Sequence, residues 1–275
     1  MKPAAFDYER PSTVEHAVEL LAASDGEARL LAGGQSLVPM MNLRLAYPST
    51  LIDIAGIGEL SAIEDRGSSV AIGTGVTHAR IEDGEAGDHW GGFLTHVARE
   101  IAYRGVRNRG TIGGSLAHAD PAADWPVALA ALGATVEIAG PQGLRSVDAQ
   151  DFVTGMFETV LGPDEMIAAV VVPKLSRDAR WSFIKVRRKR GAFADALAAV
   201  IADPGPGTLR IVVGGVATGF RRLADLEDVA PTALSSTELA DRIKAALDEI
   251  DPDMDVFHRQ LHRVSLARAV QEVSA

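Results

Sequence analysis

The order of segments predicts an α+β chain built in more than one unit, and three observations predict it. Strand, double-glycine turn, short helix and strand follow one another within the first 55 residues. A valine-rich strand is closed by Pro173, and beyond it a run of strands gives way to two helices. A boundary near residue 175 is expected, separating 1–175 (subdomains of about 1–55 and 56–175) from a smaller C-terminal α+β unit, 176–275, with a three-stranded sheet and helices.

Ser12 or Thr13 can cap a first helix whose apolar residues Val14, Ala17, Val18 and Leu21 recur at three-to-four spacing, with Glu15 and Glu19 on the other side. Gly26 ends the turn after it. Arg29 to Ala32 reads as a strand, Gly33-Gly34 as its turn, Ser36 to Leu45 as a short helix and Thr50 to Ile54 as the next strand. Ser69 to Gly73 predicts a strand and Thr77 to Asp83 a short helix. A longer helix from Gly92 to Ala102 places Phe93, Val97 and Ile101 on one face. A second glycine turn is expected at Gly113-Gly114.

Pro121 starts a helix through Leu132, since a proline at the first helical position loses no needed donor. Ala134 to Ile138 and Met166 to Val172 read as strands. Trp181 to Val186, Ala196 to Ile201 and Leu209 to Val213 form a meander, the last two joined by the turn-rich Asp203-Pro204-Gly205-Pro206-Gly207. The tail is helical, from Glu238 to Ile250 with Ser236 or Thr237 as cap, and from about Asp255 to Val273.

Charge and cysteine content narrow the chemistry. A net charge of -10 repels a phosphate backbone, so no nucleic-acid partner is expected. With no cysteine, the chain supplies neither a disulfide nor thiolates for zinc or an iron-sulfur cluster, and any redox centre is held by other means. The N-terminus lacks the basic start and apolar core of a signal peptide, and no apolar run reaches the length of a membrane helix. A cytoplasmic protein without a membrane span is the expectation.

The informative feature is a pair of glycine-containing segments, Ala32-Gly33-Gly34-Gln35-Ser36-Leu37 and Thr111-Ile112-Gly113-Gly114-Ser115-Leu116. Glycines let backbone N–H groups converge on an anion, and neighbouring hydroxyls add donors, so each segment can serve as a phosphate cradle and two of them suit a diphosphate. Double glycines also make tight turns that bind nothing. Neither segment has the Gly-x-Gly-x-x-Gly spacing, and no Gly-x-x-x-x-Gly-Lys-Ser/Thr is present, so the nucleotide folds marked by those signatures are unsupported.

Around the second segment lie Arg107-Asn108-Arg109-Gly110 and His118-Ala119-Asp120-Pro121-Ala122-Ala123-Asp124. With Ala32 to Leu37, with this block from Arg107 to Asp124, and with Lys185 before Arg187-Arg188, the chain resembles, from Phe6 to about its end, the medium subunit of the molybdenum hydroxylases, the group of xanthine dehydrogenase and the aerobic carbon monoxide dehydrogenases. The resemblance implies a two-subdomain FAD-binding domain of the vanillyl-alcohol-oxidase (PCMH) type followed by a C-terminal α+β domain. By matching position, Ala32, Gly33, Gly34, Gln35, Ser36 and Leu37 form one cradle and Thr111, Gly113, Gly114 and Ser115 the other. Asp120 belongs to the same block, Asp124 accepts from ribityl hydroxyls, and Ile101 lies at the adenine. Leu161 and Lys185 lie near the isoalloxazine.

Phe193, in Gly191-Ala192-Phe193-Ala194, departs from the Gly-Asp-Tyr or Gly-Asp-Phe of many relatives. It is expected either to cover one flavin face, moving to admit an acceptor, or to pack in the C-terminal core.

The resemblance also implies that substrate oxidation occurs elsewhere. A large subunit holds a molybdenum-pterin cofactor, a small subunit holds [2Fe-2S] clusters, and this chain passes electrons through FAD to an external acceptor, in an assembly of three kinds of chain, doubled. No catalytic and no metal-binding residue is expected here. Two other readings stay open, a self-contained flavin-dependent oxidoreductase and a nonenzymatic nucleotide-binding or scaffold module. His118 is a candidate cofactor contact. His258 and His262 have i, i+4 spacing without a metalloprotease glutamate and read as a surface helix feature. Lys185 to Arg190 read as a solvated or partner-facing basic strip.

Overall fold

A computed structural model describes residues 2–217, 219–227 and 236–274, without the side chain of Ser236. It opens with β1 (Asp7–Glu9), α1 (Val14–Ala23), β2 (Ala28–Leu31), α2 (Leu37–Asn42) and β3 (Thr50–Asp53). Thr13 caps α1 by accepting the His16 N–H at 3.2 Å, and Ala17, Val18 and Leu21 are buried as the spacing requires. The strands form a parallel sheet in the order β1-β3-β2, so α1 is the crossover between two strands on either side of the third. α2 ends three residues earlier than expected, because the chain turns through Arg44 at φ 58°.

A five-stranded antiparallel sheet follows, made of β4 (Ile63–Asp65), β5 (Ser69–Gly73), β6 (Thr135–Gly140), β7 (Gly143–Asp148) and β10 (Met166–Pro173), in the order β4-β5-β10-β6-β7. Between β5 and β6 run α3 (His78–Glu82), α4 (Phe93–Glu100), α5 (Arg104–Arg107), α6 (Ile112–His118) and α7 (Asp124–Leu132). After β7 come α8 (Ala149–Phe152) and the hairpin of β8 (Val153–Gly155) and β9 (Glu158–Thr159). The valine-rich run ending at Pro173 is the middle strand of this sheet, and its buried residues match its near-continuous apolar character.

Two expectations here are corrected. The glycine turn at 113–114 is the first turn of α6, capped by the Thr111 hydroxyl, which accepts the Gly114 N–H at 3.0 Å. The helix expected from Pro121 starts at Asp124, since the Asp120 carboxylate accepts the Ala122 N–H at 2.9 Å and holds residues 120–123 as a turn.

The C-terminal sheet comprises β11 (Arg180–Val186), β12 (Ala196–Asp203), β13 (Thr208–Val216) and β14 (Gly219–Arg222), all antiparallel. Among the described residues it has four strands, not three. β14 escapes the sequence because it is four residues long and alternates only one cycle, buried Phe220 against exposed Arg221 and Arg222. α9 (Ala224–Glu227), α10 (Ser236–Ile250) and α11 (Val256–Ser274) complete the chain. The cap expected from the Ser236 side chain lies outside the described residues.

Period-2 alternation divides the sheet between two cores. Leu197, Ala199, Ile201 and Val212 face α7 and join the cluster that includes Val70, Ile72, Trp125 and Phe152. Ala198, Val200, Ile211 and Val213 face α10 and α11, where they meet Leu239, Ile243, Leu247, Leu266 and Val270. All nine residues of α7 are buried, so this helix is the shared floor of the two sheets. A third cluster joins α1 and the parallel sheet to Ala139 and Met166 of the five-stranded one.

The tail corrects one further expectation. His258 is exposed and pairs with Asp255 at 2.5 Å, but His262 is 1% exposed and both its ring nitrogens lack a hydrogen-bond partner. Among the described residues no three-residue group is arranged to hold a metal ion, and no helix is long and apolar enough to cross a membrane.

Burial pushes the His262 pKa down to about 4. Its folded value lies below the unfolded one, so the unfolded chain binds the extra proton and stability is lost as pH falls from 6.5 toward 4. His262→Leu is expected to remove about 2 kcal/mol of the stability difference between pH 7 and pH 5, read by urea unfolding at both pH values.

Candidate functional site

The two glycine-containing segments meet. A Cβ on Gly33 would fall 2.0 Å from the Arg109 carbonyl oxygen, and one on Gly113 would fall 1.6 Å from the Thr74 hydroxyl, so both positions admit only glycine without displacing backbone. Around this junction the N-terminal ends of α3 and α6 are tied together. Thr77 and Thr111 form a bridge, the His78 N–H donates to the Gly110 carbonyl at 2.9 Å, and the Gly113 N–H donates to the Thr74 carbonyl at 3.1 Å.

Beside the junction runs a cleft of about 830 Å³, within the range of cofactor sites. All sixteen residues singled out from the sequence line it: Ala32, Gly33, Gly34, Gln35, Ser36, Leu37, Ile101, Thr111, Gly113, Gly114, Ser115, Asp120, Asp124, Leu161, Lys185 and Phe193. His118, the further candidate, lines it as well.

The two segments offer different donors. The N–H groups of Gly33, Gly34, Gln35 and Ser36 reach no acceptor among the described residues, and the Ser36 hydroxyl caps nothing. In the second segment the N–H groups of Ile112, Gly113, Gly114 and Ser115 are already bonded to Val76, Thr74 and Thr111. The expected pair of backbone cradles is therefore one backbone cradle and one wall whose free donors are side-chain hydroxyls.

Deeper in the cleft, Lys185 of β11 pairs with Asp124 of α7 at 2.7 Å and also donates to the Glu100 carbonyl at 3.2 Å. Its side chain is 2% exposed, so it is neither a solvated strand lysine nor part of a surface strip. Arg187 pairs with Glu100, while Arg188, Lys189 and Arg190 are exposed. Burial pushes the Asp124 carboxyl up, opposed by the Lys185 charge and hydrogen bond. Its second oxygen, Oδ1, is buried and has no partner. A buried unpaired acceptor costs about 1–3 kcal/mol, so this oxygen is poised for a ligand donor.

Arg107 shapes the next stretch of wall. It is 6% exposed, pairs with Glu82 at 2.8 Å, and donates to the carbonyls of Ile101 and Ala102, which holds Ala102 at φ 40°. The same guanidinium, with that of Arg104, holds the Glu82 carboxyl below its usual range. Phe193 is 64% exposed at the mouth, so the alternative of an aromatic packed in the C-terminal core is not the one adopted.

Residues 4–175 match the family described as the FAD binding domain in molybdopterin dehydrogenase. The chain is 39% identical over 250 residues to the nicotine 6-hydroxylase medium subunit of Paenarthrobacter nicotinovorans, spanning 90% of this chain and 86% of that one. It is 38% identical over 234 residues to the carbon monoxide dehydrogenase medium chain of Hydrogenophaga pseudoflava, spanning 85% and 78%. A solved structure of carbon monoxide dehydrogenase from the latter organism, lacking the Mo-pyranopterin moiety of its molybdenum cofactor, aligns at TM-score 0.90 and 33% identity over 99% of this chain and 98% of that one. The chain belongs to the FAD-binding medium subunits of the molybdenum hydroxylases.

FAD is thus the cofactor of this medium subunit, and the residues present fit it: four free backbone donors, free hydroxyls and one orphaned buried carboxylate oxygen share one cleft. Sequence reasoning passed over Thr74, His78 and Arg29, which also line it. None carries a local signal. His78 reaches its partner Trp125 across 47 residues, and Arg29 sits on a strand with its guanidinium held by the carbonyls of Gly26 and Ala28.

Gly113→Ala is expected to cost about 1–3 kcal/mol through overpacking against Thr74, whereas Gly58→Ala, with open space around it, changes stability by no more than about 0.5 kcal/mol. Lys185→Met leaves Asp124 buried and unpaired, a loss of about 3–5 kcal/mol at neutral pH. The Asp124 carboxyl then rises further above its unfolded value, so this variant regains stability as pH falls and loses it as pH rises. Thermal unfolding across pH checks both.

Proposed function

We propose that this chain is the relay subunit of a three-part molybdenum hydroxylase. In this reading a small subunit with [2Fe-2S] clusters and a large subunit with a molybdenum-pterin cofactor complete the complex, two of each chain assemble, and the whole is cytoplasmic. Residues 1–175 form the FAD-binding domain, with subdomains of about 1–55 and 56–175, and 176–275 the C-terminal domain. The observation that carries the site is Asp124 Oδ1, a buried acceptor without a protein partner in the cleft that the glycine segments border.

Residues 32–37 form the first cradle, in which the backbone N–H groups of residues 33–36 donate to the diphosphate, and Thr111 and Ser115 add hydroxyls beside Gly113 and Gly114. Asp120 stands at the end of this wall. Asp124 accepts from ribityl hydroxyls, held in place by Lys185, whose ammonium is committed to that pair. Ile101 gives an apolar surface for the adenine, and Leu161 lines the isoalloxazine end. When bound, FAD supplies a carrier that takes up electrons from an iron-sulfur partner and releases them to an outside acceptor. Phe193 at the mouth covers one face of the ring and swings aside to admit that acceptor.

The absence of cysteine from the chain suits this division, because cluster ligands then come from a partner. The self-contained oxidoreductase is disfavoured by packing: both faces of the C-terminal sheet are committed to buried clusters, which leaves them no room for a substrate lobe.

The chain expressed alone is expected to bind one FAD and to oxidise no aldehyde, purine or N-heteroaromatic, while co-expression with both partners yields a complex that does. Turnover by the isolated chain, or no flavin bound, overturns the reading. Phe193→Ala in the complex is expected to keep FAD occupancy and to change the rate of acceptor reduction; an unchanged rate together with an unchanged flavin spectrum discards the gate.

A further inference from the structure

The cleft wall holds one buried titratable side chain that the reading above leaves unused. His78 opens α3, is 5% exposed, and lines the cleft next to Gly110 and Thr74. Its Nδ1 lies 3.0 Å from Trp125 Nε1. An indole N–H only donates, so Nδ1 is the acceptor, and the proton of the neutral ring sits on Nε2.

Burial, reinforced by the charge of Arg107, holds the His78 pKa at about 3, which keeps the ring neutral through the physiological range. Nε2 has no hydrogen-bond partner among the described residues and is not closed off from solvent, so it opens onto the cleft that His78 lines. Gly110 is what gives it that opening: a Cβ there would come within 2.9 Å of Nε2. A donor fixed in direction, without a protein acceptor and opening on the cleft where the two helix starts meet, is available to an acceptor on a ligand.

We propose that His78 donates its Nε2–H to a diphosphate oxygen of FAD where the cofactor passes Gly110 and Thr111, and that Trp125 is the positioning residue that fixes the donating tautomer. This rests on the FAD reading of the cleft. Asp124 and Trp125 are neighbours in the first turn of α7, so one helix start sets both a buried acceptor and, through His78, a donor that opens on the cleft. The second wall, whose backbone N–H groups are spent internally, thereby gains a donor of its own.

The test uses the full chain freed of flavin and titrated with FAD, with affinity read from flavin fluorescence and folding from the melting temperature of the flavin-free protein. His78→Leu is expected to weaken FAD about tenfold or more, the worth of a hydrogen bond to a charged oxygen. ADP, used as a competitor, weakens alongside it, and riboflavin, which has no phosphate, is unaffected. His78→Gln, which can present an N–H at the same reach, restores most of the affinity, and Trp125→Phe falls between. In ¹⁵N-histidine NMR spectra of the wild type, the His78 signals report the Nε2–H tautomer, and the Nε2 resonance moves when FAD is added; this decides the matter if His78→Leu does not fold. A folded His78→Leu that binds FAD as tightly as the wild type, or an Nε2 resonance that FAD leaves in place, overturns the proposal. Wild-type protein that fails to bind FAD overturns the underlying reading instead.

Discussion

The ion pair between Lys185 and Asp124 is the contact on which the arrangement of the cleft depends. It joins the first turn of α7 to β11, and so links the floor of the cleft to the C-terminal sheet. Both side chains are almost wholly buried, and removing two charges from water costs several kcal/mol each. Attraction at 2.7 Å offsets that only because Lys185 also reaches the Glu100 carbonyl. Asp124 has no equivalent second bond on Oδ1. Lys185 has two acceptors in this pair, while Asp124 keeps one buried oxygen without a partner in the wall of the cleft.

Such a site uses stability as the source of its recognition. An apolar replacement of both residues would remove the desolvation cost, and buried ion pairs elsewhere are often no more stable than their apolar equivalents. What the apolar version lacks is an acceptor fixed in direction. The same logic applies to His78 and Trp125, where a buried ring is held in one tautomer by a residue that can only donate. α7 can impose both because every residue from Asp124 to Leu132 is buried, which leaves its first turn little freedom to shift.

Much of this was legible in the sequence, for reasons that differ by element. Gly33 and Gly113 stood out because they are small residues among apolar ones, and the structure gives them a common cause, close approach of two backbones. Yet the inference from glycine to free N–H groups held only for the first segment. In the second, Thr111 followed by a hydrophobic residue is a helix cap, and the cap consumes the donors. β1, β4 and β14 were missed because three or four residues carry too little periodicity, and β7 because most of its residues are exposed. The burial of Lys185 and His262 was hidden for another reason: each depends on a surface contributed by distant chain, which no local pattern encodes.

The electrostatics of the cleft follow from this division of labour. In a chain with a net charge of -10, most of the cations around this cleft are paired with carboxylates. Lys185 is neutralised by Asp124, Arg107 by Glu82, and Arg104 by Glu82 and Asp83, while Arg29 lies against two carbonyls. Apart from Arg29, the groups this cleft offers to the proposed diphosphate are dipoles: the N–H groups of residues 33–36, the hydroxyls of Ser36, Thr111 and Ser115, and the neutral ring of His78. Dipoles held in place by packing need no reorganisation when the charge arrives, and they add no charge of their own before it does, so the cleft never carries an uncompensated buried cation. The glycines at 33 and 113 fit that arrangement: Gly33 lets the first wall close on the Arg109 carbonyl, and Gly113 lets the start of α6 close on Thr74.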